Sequence, residues 1–290
     1  PAHKGVNVKR RTRGILAAST AGATIVAGAV MMPTAMAAPP ADDSGTGGSS
    51  AQRQDDRPGP LTERQNERRK VAQELILSGK ASPNEDGVVA LNDDGDKYYQ
   101  ATVSGTGRLF TILAEFGDQG SGKLGTVPGP LHNEIPQPDR TVNNSTHWQA
   151  DFNPDYYREL FFGSGNSFAD FYEKQSSGAY TVDGEVSEWV KVPGNASTYG
   201  DNTVEDEGGS WQFVTDSANA WYDSRVAAGA SLAEIKAELA TFDVWDRYDH
   251  DNDGNFDEPD GYIDHFQAVH AGEGEDAGGG AQGEDAIWSH

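Results

Sequence analysis

The sequence predicts an α+β fold, with one mixed domain from about residue 105 onward. Three observations carry this. An almost unbroken apolar run stands at 108–118 (RLFTILAEFGD), and a second follows at 261–272 (GYIDHFQAVHAG). Between them lie stretches with helical apolar spacing and one with strict alternation. Runs of the first kind suit strands buried on both faces, and their mixture with helices is the pattern of a layered domain.

Residues 1–13 carry Lys4, Lys9, Arg10, Arg11 and Arg13 and no acid. An uncharged apolar stretch (ILAASTAGATIVAGAVMM) follows, and then PTAMAAPP, where Ala35 and Ala37 precede Ala38 in a small-residue cleavage pattern. This reads as a cleavable bacterial signal peptide over 1–37, hence a secreted, extracellular product. The stretch is too rich in Ala, Gly and Thr to make a stable membrane anchor. Residues 38–60 are Pro, Gly, Ser and Asp with little to bury, a linker composition.

Residues 61–77 have helical spacing in Leu61, Arg68, Val71, Ala72, Leu75 and Ile76. Thr62 and Gln65 stand at capping-box distance, and Gly79 is placed to close the end. Such a helix is marginal alone and needs a surface to dock on. The stretch 80–104 is polar and turn-rich, and 119–154 is loop-like. Two aromatic segments, 155–163 and 167–178, suit short helices. AYTVDGEVSEWVKVP (179–193) alternates around Asp183–Gly184 and predicts a hairpin turning there. Trp211–Ala228 is amphipathic. A further helix opens on Ser231 with Glu234 three residues on, and places Leu232, Ile235 and Leu239 on one face.

The net charge is −24, and the five basic groups of the first 41 residues leave 17 to face all 46 acids. A body this acidic repels nucleic acid and anionic membrane and suits a cation-binding secreted protein. Cysteine is absent, which excludes disulfides, thiolate metal sites and a cysteine nucleophile.

The acids cluster most densely in DHDNDGNFDEPDG, residues 249–261. Side chains at alternate positions of an extended or turning backbone face one way, and facing carboxylates repel unless a cation lies among them. Calcium takes six to eight oxygens, and loops of this kind supply them at positions 1, 3, 5, 7, 9 and 12. Those positions are Asp249, Asp251, Asp253, Asn255 (through its carbonyl), Asp257 and Asp260. Gly254 occupies position 6, where a sharp turn is needed. Asp at position 12 reaches less far than the usual Glu, and Pro259 opposes a helix leaving the loop. A structural calcium is therefore expected, outside a helix-loop-helix pair.

The histidines are His3, His132, His147, His250, His265, His270 and His290, and no H-E-x-x-H occurs. His265 and His270 are five apart in an expected strand and face opposite sides, which favours structural roles. G-x-S-x-G and G-x-x-x-x-G-K-[ST] are also missing, so neither a nucleophile elbow nor a phosphate loop is indicated.

FTILAEFGD, YYRELFFG, FADFYEKQSSGAYTVDGEVSEWVKVP and DGNFDEPDGYIDHFQAVHAGEGEDAGGGAQGEDAIWSH, in that order, resemble the immune inhibitor A family of secreted bacterial zinc metallopeptidases. The likeness spans roughly residues 60–290 and is most specific in its last stretch. It implies a zincin-like catalytic domain whose N-terminal portion is 105–290. It also implies a propeptide within 38–104 that masks the site, and protein or peptide substrates. Zinc would be held by the two His of H-E-x-x-H and a further ligand, with the motif's Glu as general base. In the family that helix follows the region matched, so the resemblance implies zinc ligands beyond His290 and a chain inactive alone. The alternative class is a secreted calcium-stabilised binding or adhesion module without catalysis.

Overall fold

The computed structural model describes residues 61–120, 128–201 and 209–289. The expected signal peptide, residues 1–37, and the linker stretch 38–60 lie outside the described residues. The centre of the fold is a three-stranded sheet of β3 (Gly105–Glu115), β4 (Tyr180–Lys191) and β5 (His265–His270), in the order β4-β3-β5. Both pairings are parallel, running from Gly105↔Tyr180 to Glu115↔Lys191 and from Leu109↔His265 to Ala114↔His270.

Parallel strands need crossovers, and their direction decides where the helices lie. From β3 the chain passes through α2 (Pro154–Phe162) and α3 (Phe168–Gln175) to β4 on one side. It then reverses across β3 to reach β5, through α4 (Ala196–Gly200), α5 (Ser210–Ala227) and α6 (Leu232–Leu239). The reversal places the two sets of helices on opposite faces. Leu113 and Val186 pack against Phe152, Tyr157 and Phe161 on the α2 face. Phe110, Ile112, Ala114 and Phe116 pack against Phe213, Trp221, Ile235 and Phe242 on the other. Phe110 meets Trp221 edge-on, with ring centroids 5.0 Å apart. β3 is thus buried on both faces from Leu109 to Ala114, as its continuous apolar run requires.

The mixed order of helices and strands agrees with the expected α+β class. Several elements differ from expectation. Residues 180–191 form one strand, with no hairpin at Asp183–Gly184. Asp183 pairs with Arg108 of the neighbouring strand at 2.7 Å. A Cβ on Gly184 would stand 2.0 Å from the Leu109 carbonyl oxygen and 2.9 Å from the Phe162 ring. The glycine therefore serves a close approach of backbone and helix, not a turn. Residues 80–104 contain a small antiparallel pair, β1 (Val88–Ala90) with β2 (Tyr98–Gln100). β5 spans only six residues, all half-buried, because among the described residues it pairs only with β3 and so forms a sheet edge.

α1 (Thr62–Leu77) begins without a side-chain cap, so the Thr62–Gln65 box does not form. Its other end closes as expected. Gly79 has φ +69°; its N–H donates to Ile76 O and that of Lys80 to Leu75 O, at 3.0 and 2.9 Å, a Schellman closure. The Ser231–Glu234 capping box on α6 is present. Ile235 is buried and Leu239 packs on the core, but Leu232 is exposed.

Candidate metal site

The acidic loop fills the connection from α6 to β5, and both of its ends are pinned. Asp243 accepts the backbone N–H groups of Asp260 and Gly261, at 2.9 and 3.0 Å. Asp264 accepts those of Val244 and Trp245, at 3.1 and 3.2 Å. Burial of Asp264 pushes its pKa up to about 6. Phe256 is buried and anchors the middle, with its carbonyl accepting Asp246 N–H at 3.0 Å.

Between these pins the backbone turns three times into the left-handed region, at Asp249 (φ +49°), Asn252 (φ +62°) and Gly254 (φ +82°). Gly254 is needed twice over. Its φ is one that L side chains rarely adopt, and a Cβ there would stand 3.0 Å from the Tyr98 ring. Short side chains then fold back on the next backbone amides: Asp251 accepts Asp253 N–H, Asp253 accepts Asn255 N–H, and Asn255 accepts Asp257 N–H. Asp249 Oδ1 accepts Gly254 N–H at 3.0 Å.

This path gathers Asp249, Asp251 and Asp253, whose donor oxygens lie within 4.8 Å of one another. Asp249 is 1% exposed, and its Oδ2 is buried without a hydrogen-bond partner. A buried, unsatisfied carboxylate oxygen is costly unless a cation completes it. Burial raises the Asp249 pKa above the usual carboxylate range, as it does that of Asp260. A second group at the same 4.8 Å limit, Asp246 with Asp251 and Glu258, shares Asp251 with the first, and a third, Asp246 with His250 and Asp260, shares Asp246 with the second.

Of the six residues expected as ligands, three therefore converge directly. Asp260 stands with Asp246 and His250, and its Oδ2 is 3.6 Å from His250 Nε2. Among the carboxylates, Asp257 falls in none of the three groups. Asn255 donates its side-chain N–H to Glu258 at 2.7 Å. Asp246 and Glu258 were not foreseen. Asp246 lies three residues before the motif, and its only signal is a buried acid set between Trp245 and Tyr248. Glu258 sits at an even position that alternation points away from the others.

The all-oxygen set of Asp249, Asp251 and Asp253 suits a hard cation. A catalytic zinc is instead held by three protein ligands, commonly His-rich. None of the three groups brings two histidines together, so the described residues do not fit it. His265 and His270 lie on opposite faces of β5, as expected. His270 packs with Phe116 and Phe213, while His265 meets Trp245 and stands 3.3 Å from the Tyr180 hydroxyl. Burial drives the His265 pKa down to about 4. Beside it opens a mostly apolar cavity of about 350 Å³, lined by Leu109, Tyr172, Tyr180, Val182 and Trp245 among others. Among the described residues no helix is long and apolar enough to cross a membrane.

Comparison with known proteins matches residues 95–290 to the family described as Immune inhibitor A peptidase M6, catalytic domain. Immune inhibitor A of Bacillus thuringiensis subsp. alesti is 34% identical over 198 residues, which cover 63% of this chain and 25% of that protein. The Pre-pro-metalloprotease PrtV of Vibrio cholerae serotype O1 is 36% identical over 149 residues, covering 48% of this chain and 15% of its own length. The chain thus spans a quarter or less of these curated relatives.

Proposed function

The chain belongs to the immune inhibitor A peptidase M6 family, and from that premise we propose that it is part of a secreted zinc-dependent endopeptidase acting on extracellular proteins. The observation that carries the reading is the match over 95–290, which takes in the parallel sheet, both helical faces and the whole acidic loop. The names of its relatives, a metalloprotease among them, agree with it.

In this reading a zinc ion would supply the Lewis acidity that activates water for peptide hydrolysis. Its ligands would be an H-E-x-x-H outside these 290 residues, a motif this sequence lacks. The residues present would brace the catalytic domain. Asp249, Asp251 and Asp253 would hold a structural calcium, with Asp246, Glu258 and Asp260 at its margins. The unpartnered Oδ2 of Asp249 supports that assignment. Residues 38–104 would serve as the propeptide, and a prefix such as the one named in the Vibrio relative would include the signal of 1–37.

The test is proteolysis of an unstructured protein such as casein. The coding sequence is read past His290, and the longer product is assayed beside the 290-residue chain. A longer product that carries H-E-x-x-H and is silenced by a zinc chelator, beside an inactive shorter chain, is the expected outcome. A longer product that binds calcium, carries no H-E-x-x-H and cleaves nothing would replace the reading with a non-catalytic binding module.

A further inference from the structure

The acidic loop is gripped from outside by the segment that precedes the sheet. Gln65, free of the cap it was expected to close, donates from Nε2 to the Arg247 carbonyl at 2.8 Å. One turn later Arg68 donates from Nη1 to the Tyr248 carbonyl at 3.0 Å, and to Tyr98 O at 3.5 Å. Gln100, at the end of β2, accepts Trp245 Nε1–H at 2.8 Å. Tyr98 lies against Gly254, so close that no Cβ fits between them without displacement. Apart from Arg68 to Tyr98, which lies within the segment, every one of these contacts reaches 245–254.

α1 has little else to hold it. Of its 16 residues only Ala72 is buried, while Val71 and Leu77 are exposed. A helix of that length is marginal in water without packing. Its docking therefore depends on two carbonyls, Arg247 O and Tyr248 O, being where Gln65 and Arg68 can read them. Those carbonyls sit between Asp246 and Asp249, both buried acids of the ion-ready groups. Whatever fixes the two acids fixes the docking surface.

We propose that cation binding in the loop and docking of residues 62–100 on it are a single coupled switch: the ion holds the surface that α1 and β2 recognise, and loss of the ion releases them. The proposal rests on the calcium reading given above. Coupling is reciprocal, so docking must also tighten the ion. If the segment is the propeptide, extracellular calcium sets how firmly it stays in place.

Hydrogen exchange on the intact chain, with calcium and with a calcium chelator, tests this. Chelation is expected to cut the protection of 249–257 and, in parallel, of α1 and β2, while the amides of α5 keep theirs. In calorimetry, Gln65→Ala with Tyr98→Ala, which alters no charge, is expected to weaken calcium by on the order of tenfold. If the loop responds to calcium but α1 does not, or α5 loosens equally, or the double variant binds calcium like the parent, the coupling is refuted while the site stands. If the loop itself ignores calcium, the site reading falls and the coupling with it.

Discussion

Replacing Asp249 by Asn should stabilise the protein without calcium and blunt its response to calcium. Asn keeps the shape of the side chain and an oxygen to accept Gly254 N–H, so what changes is the charge. Asp249 shares a 4.8 Å cluster with Asp251 and Asp253. At that distance a like-charged pair costs about 0.9 kcal/mol even in water-like surroundings. Removing two such pairs should therefore yield about 2 kcal/mol in chelator, reduced by the lost attraction of Arg68, whose charge favours the Asp249 carboxylate. For a domain of this size that is a rise in Tm of about 4–8 °C. With calcium the balance shifts, because a neutral ligand holds the ion less well, on the order of tenfold or about 1.4 kcal/mol. At an ion concentration about 100 times the parent's Kd, the parent gains about 2.7 kcal/mol, and the variant about half of that. Thermal melts in chelator and in calcium, paired with calorimetric titration, measure both effects. A variant that melts lower in chelator, or gains as much from calcium as the parent, would show Asp249 to be an ordinary structural acid.

Two more predictions concern the sheet. Gly184→Ala should cost about 2–3 kcal/mol through overpacking, because the new methyl meets the Leu109 carbonyl and the Phe162 ring; an unchanged urea midpoint would contradict the strand assignment. His265 is held neutral, with its pKa lowered to about 4 from 6.5. Its contribution is intact above pH 6.5 and is lost as the pH falls toward 4, because the unfolded chain takes up the proton first; the loss is at most about 3 kcal/mol. His265→Gln should flatten the urea midpoint over that window, and a parent midpoint that does not fall there would refute it.

The sequence revealed elements whose burial or capping is local. The run at 109–114 leaves no polar face, so a strand covered on both sides is its natural state. Ser231 and Glu234 satisfy each other within one turn. Asp183–Gly184 misled because the dipeptide signals a turn only when the backbone adopts positive φ, and here glycine answers a neighbour 75 residues away in sequence, Leu109. Gln65 misled for the same kind of reason, since its best partner is the Arg247 carbonyl, 182 residues distant.

The acidic loop divides along the same line. Its three central aspartates were legible because alternation and one glycine set their facing, and the backbone does turn at Gly254 with φ +82°. Asp246 and Glu258 were not, because they join the cluster only once Asp243, Asp264 and Phe256 have closed the connection into a ring. That closure also places Asp260, whose amide donates to Asp243 and whose carboxylate stands with Asp246 and His250 and not with the three aspartates. Linear spacing fixes which oxygens face inward along a turn, whereas the long-range pins decide how far the turn extends. The ligand set of such a loop is therefore a property of the α6–β5 connection as a whole, and the segment 62–100, which presses on that connection, belongs to the same energetic unit.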